Sequence, residues 1–139
     1  SPAVPDTPVT IRRLAYWLPP LLYAAAIFQV SAQSTPFPSL AHLFWDKAVH
    51  TTEYGLLGLL LCRALRSEGL PWVVAVPLTI AITSAYGASD EWHQLFVPSR
   101  SSDSIDWVAD TVGGSLGSFG YWIWCTRWTT GGAPLGGLS

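Results

Sequence analysis

The sequence predicts an all-α protein: a four-helix transmembrane bundle with both termini in the cytoplasm. Three observations carry this. Half of the 139 residues are hydrophobic and only 12% are charged, against roughly 25% charged in a soluble domain. Four apolar stretches of helical length are separated by breaks rich in proline, glycine and charge. Threading those stretches back and forth through a bilayer also sorts the basic residues onto one side.

At this length the chain is one domain. A net charge of −2 and no basic run argue against nucleic acid as a partner. Eight Trp, five Tyr and five Phe suit membrane–water interfaces, where an apolar ring with a polar edge is stable. Membrane lipid is therefore the expected partner.

Residues 1–10 hold Pro2, Pro5 and Pro8 and are expected to form an extended arm. The membrane domain spans 11–128. Its first helix covers 14–31, just long enough to cross ~30 Å of hydrocarbon. Pro19 and Pro20 should kink its first turns or mark where regular helix starts. No Ala-x-Ala site follows it, so it is expected to be retained rather than cleaved. A polar loop over 31–39 comes next. Residues 41–45 then read as a short interfacial segment, with His42 and Trp45 at headgroup depth.

The second helix covers 46–65, opening on Asp46, whose charge favours a helix N-terminus. Arg63 and Arg66 end it, and Gly69 and Pro71 make a tight turn. The third helix covers 72–92 with Pro77 near its start. A loop carrying Pro98 and Arg100 leads to the fourth helix, 105–127, which opens with Asp106. Residues 129–139 form a Gly-rich, flexible tail.

Arg12, Arg13, Arg63, Arg66 and Arg127 fall on one side of this arrangement, and Lys47 and Arg100 on the other; these are all seven basic residues. The excess of positive charge places both termini in the cytoplasm. Cys62 and Cys125 then lie near cytoplasmic helix ends, where a thiol stays reduced and serves as a small packing residue.

The starts of helices two and four and the end of helix three meet at the outer face, and there the polar residues concentrate. Asp46, His50 and Tyr54 form one stripe at i, i+4, i+8, with Glu53 beside His50. Thr83, Gly87, Asp90 and Gln94 share a face of helix three, flanked by Glu91. Asp106, Asp110, Gly113 and Gly117 share a face of helix four. Gly113 and Gly117 form a Gly-x-x-x-Gly pair that lets a neighbouring helix come close. A charge facing lipid costs several kcal/mol, so the charged groups should point inward and pair.

Asp46-Lys47-x-x-His50-x-x-x-Tyr54, Tyr86-Gly87-x-x-Asp90-Glu91-x-x-Gln94-x-Phe96-x-Pro98-x-Arg100 and Asp106-x-x-x-Asp110-x-x-Gly113 together resemble the VanZ-like membrane proteins. The resemblance runs over about 46–117, with helix one fitting by hydropathy alone. One departure is Asp110, where the family pattern usually has Asn. The resemblance implies a small helical domain of the bacterial inner membrane, multi-pass, in a family linked to glycopeptide (teicoplanin) resistance.

Three functions fit these residues. The first is binding: Arg100 offers a planar fork for phosphate or carboxylate, near a lipid headgroup or a glycopeptide-like ligand. The same cluster of Asp46, His50, Tyr54, Asp90, Glu91, Gln94, Arg100, Asp106 and Asp110 also serves as a polar clasp that ties the helices. The second is an accessory subunit of a larger membrane complex, contacting other membrane subunits through the aromatics of helix four and the two tails. The third is acid–base catalysis on a lipid headgroup, with His50 and Glu91 as the candidate residues. Neither Ser nor Cys has a nucleophile signature. His50-x-x-Glu53 lacks a second histidine, and Glu91-x-His93 points to two faces, so no metal and no other cofactor is expected. His42 and His93 read as interface anchors beside Trp45 and Trp92. The expected function is a non-catalytic membrane protein presenting a polar site at its outer face.

Overall fold

A computed structural model of the protein describes residues 8–31, 40–98 and 104–130. Four helices account for most of them: α1 Val9–Ser31, α2 Leu40–Ser67, α3 Trp72–Gln94 and α4 Ser104–Thr130. No strand occurs among the described residues. The fold is all-α.

The elements are longer than their apolar stretches. The Pro8 carbonyl accepts the Arg12 N–H at 3.1 Å, so α1 starts before the arginines and runs through Pro19 and Pro20. A proline at the cap loses nothing, because the first N–H groups of a helix have no partner within it. Residues 41–45 are the first turn of α2, not a separate interfacial piece. Gly69 turns the chain with φ of 90°, a conformation most side chains resist. Pro71 then caps α3, its carbonyl accepting from Val74 (3.0 Å) and Ala75 (2.8 Å).

Large apolar side chains face outward. Leu21 and Leu22 on α1, Val73 on α3 and Leu116 and Trp124 on α4 are exposed, while Thr79, Thr83, Asp110 and Ser118 are fully enclosed. A water-soluble domain has the reverse arrangement. The enclosed hydroxyls are satisfied locally: Thr79 donates to the Ala75 carbonyl (2.7 Å) and Thr83 to that of Thr79 (2.9 Å). Two helices, α1 and α3, are long and apolar enough to cross a membrane. By that measure α2 and α4 fall short; they carry the acidic and small residues that line the interior.

The largest interface joins α2 to α4, followed by α3 to α4. Gly55 and Gly58 of α2 meet Gly113, Gly114 and Gly117 of α4 backbone to backbone. A Cβ on Gly58 would sit 2.7 Å from the Gly114 carbonyl oxygen, and one on Gly117 would collide with the Gly55 carbonyl. The expected packing role of Gly113 and Gly117 is thus completed by two glycines of α2.

One end of the bundle is basic. Arg13 pairs with Glu68 at 3.1 Å, and the Trp17 indole donates to the same carboxylate at 3.0 Å. Arg63 covers the Tyr16 ring and Arg66 the Trp72 ring. Nearby, Leu61, Cys62, Leu65, Ala75 and Val76 form an apolar cluster in which Cys62 is a buried free thiol.

Candidate functional site

The opposite end is acidic and built around His50. From α2, Asp46 and His50 project one turn apart toward α4, which supplies Asp106 and Asp110. His50 Nδ1 lies 2.8 Å from Asp110 Oδ1. Its Nε2 lies 3.8 Å from Asp46 Oδ1 and 4.0 Å from Asp106 Oδ2. Lys47 pairs with Asp106 Oδ1 and approaches Asp46 Oδ2 at 3.9 Å. Room for Asp110 comes from Gly87 of α3, where a Cβ would lie 2.8 Å from Asp110 Oδ2.

Beside this cluster is a cavity of about 70 Å³ between α1, α2 and α3. Ser31, Asp46, His50, Glu53, Asp90 and Gln94 give it a polar lining, and Ile27, Val30 and Val49 complete the wall. Gln94 donates to Ser31 Oγ at 3.0 Å, closing α3 onto α1. Asp90 is 4% exposed, and its Oδ1 has no hydrogen-bond partner among the described residues. Asp46, His50 and Asp106 each offer a ligand atom within 4.8 Å of the others, so these three could hold a metal ion.

The VanZ/LLP1 family model matches residues 7–125. The chain belongs to the VanZ/LLP1 family. The match takes in α1, which hydropathy alone tied to the family. No curated protein and no solved structure matches the chain. Family and hydropathy together make it a membrane protein.

The structure brings together most of the residues singled out in the sequence. Asp46, His50, Asp106 and Asp110 meet, and Asp90 and Gln94 line the adjoining cavity. Tyr54 continues the stripe but lies below the cavity, packed with Ile27 and Leu57 and 6.1 Å from the Tyr86 ring. Glu91 is buried and does not line the cavity, whereas Asp46 and Glu53, on either side of His50 along α2, both do. His93 stacks on Phe28 at 4.5 Å, joining α3 to α1. Arg100 and the side chain of His42 lie outside the described residues.

Ser31, Lys47 and Glu53 belong to the site as well. Glu53 stands at i+3 from His50, a spacing visible in the sequence. Lys47 is the basic residue nearest the acidic stripe. Ser31 had no signal, because its role depends on where α1 ends against Gln94.

Proposed function

We propose that this VanZ/LLP1 chain is a four-span protein of the bacterial cytoplasmic membrane, with both termini cytoplasmic. Its acidic end faces outward, ties the helices together and takes a polar lipid headgroup into the cavity without catalysis. The gathering of Arg12, Arg13, Arg63 and Arg66 at the opposite end supports this orientation.

The observation that carries the binding reading is the cavity's lining. Asp46, Glu53 and Asp90 are acceptors, so the entering group must bring donors. A volume of about 70 Å³ admits an ammonium or hydroxyl-bearing arm and excludes a ring system. Phosphatidylethanolamine offers such an arm; the amine of a glycopeptide-like molecule is the competing source. Native mass spectrometry of the detergent-released protein tests this. Phosphatidylethanolamine should be retained over phosphatidylglycerol, and Glu53→Gln should weaken retention at least several-fold. Equal retention of both lipids, or a Glu53→Gln protein that binds unchanged, sinks the headgroup reading and leaves the clasp. Added teicoplanin, by displacing the lipid or failing to, identifies the source of the amine.

A second reading, a subunit of a larger membrane assembly, draws on the exposed aromatics Phe119, Trp122, Trp124 and Trp128 along α4. Gentle-detergent purification should then recover stoichiometric membrane partners. A monodisperse lone chain counts against it.

A further inference from the structure

We propose that Asp46, His50 and Asp106 form a binding site for a divalent transition-metal ion. Its ligands come from two helices, α2 and α4, and form no local motif.

The first support is spacing. His50 Nε2 stands 3.8 Å from Asp46 Oδ1 and 4.0 Å from Asp106 Oδ2, and the three ligand atoms lie within 4.8 Å of one another. These separations are too long for hydrogen bonds. They suit atoms sharing one ion, since ligands roughly 2.0–2.2 Å from a metal stand well over 3 Å apart.

The second support is the setting of the imidazole. His50 Nδ1 stands 2.8 Å from Asp110 Oδ1, so a neutral ring that donates from Nδ1 turns its Nε2 lone pair toward the two carboxylates of Asp46 and Asp106. A carboxylate behind a ligating histidine is how proteins fix the ring's tautomer and orientation for a metal. Lys47 occupies the outer oxygens, Asp106 Oδ1 and Asp46 Oδ2, and leaves the inner pair to face His50.

The third is independent of the cluster. Asp90, on α3, is 4% exposed and lines the same cavity as Asp46 and His50, yet its Oδ1 has no partner among the described residues. A buried carboxylate oxygen without a donor is strongly disfavoured. A cation at this end of the cavity supplies the missing charge. One imidazole and two carboxylates favour Zn²⁺, Mn²⁺ or Fe²⁺ over Ca²⁺ or Mg²⁺. Three protein ligands also leave a coordination position free for a group in the cavity.

The site is tested apart from the headgroup reading, because metal binding is measured with no lipid added. The full chain, purified in detergent and stripped with chelator, is titrated with Zn²⁺. One saturable equivalent is expected, with an X-ray absorption spectrum showing one imidazole nitrogen among oxygen ligands. His50→Gln and Asp106→Asn should each weaken binding at least 10-fold. Absence of saturable binding by the wild-type chain overturns the proposal, as does a zinc shell that contains sulfur or lacks imidazole. Unchanged affinity in a folded His50→Gln protein overturns it too. The wild-type titration and spectrum decide the matter even if the variants do not fold. Zinc binding without phosphatidylethanolamine retention would leave the metal site standing and remove the headgroup reading alone.

Discussion

His50 is held by α4 through Asp110, and the pair is enclosed. Removing the acceptor in Asp110→Ala leaves a buried imidazole N–H unsatisfied, which costs about 1–3 kcal/mol. Thermal denaturation in detergent should show a clear fall in midpoint; an unchanged midpoint would mean the pair is not structural. The stripe of Asp46 and His50 is legible in the sequence because i and i+4 share a helix face. That Asp110 answers His50 is not legible, since any of several acids could have met it across the helices. Gly87 decides the matter by opening space opposite Asp110. The same logic explains Tyr54. Its spacing places it on the stripe, but by that depth the neighbours are Ile27 and Leu57.

Between elements, the seam of α2 and α4 depends on absent side chains. In Gly58→Ala the new methyl lies 2.7 Å from the Gly114 carbonyl oxygen, a backbone atom that cannot turn aside. Forced separation of the helices should destabilise the fold by about 1–3 kcal/mol. Gly120→Ala meets nothing within 4 Å and should be neutral or stabilising by up to ~1 kcal/mol, the helix-propensity gain. Paired melting curves of the two variants check both; equal effects would show that the close approach does not matter. The four helices were legible from apolar runs and their Pro and Gly breaks. Their ends were not: Asp46 looks like a helix start, yet α2 reaches back to Leu40 because nothing before Asp46 stops it.

At the scale of the whole molecule, charge is divided between two ends. The Trp17 hydrogen bond, joined by the Arg13 charge, holds the Glu68 carboxyl below its usual value. A depressed carboxylate contributes stability that is fully present above its unfolded value and lost as pH falls through the folded one. Trp fluorescence should therefore change only at a pH below ~4.3, the ordinary Glu value, and Glu68→Gln should abolish that step. A midpoint above the ordinary value would contradict the arrangement. Orientation is checked by introduced cysteines. Maleimide should label Ser67→Cys from the cytoplasmic side only and Trp45→Cys from the outside only. Labelling of both from one side would refute the four-span topology.

The first helix is fastened mainly at its two ends, to Glu68 by Arg13 and Trp17 and to Gln94 by Ser31. Both fastenings are to residues that leave the ribosome after it. In the proposed four-span topology α1 rests in the bilayer before its anchors exist, which calls for a segment that is stable there unaided, as its hydropathy allows. The same holds for α3, which emerges before α4. The two less apolar helices each follow an apolar one and can enter against it. Under the proposed topology, alternation of self-sufficient and dependent segments is thus an insertion order written into the chain.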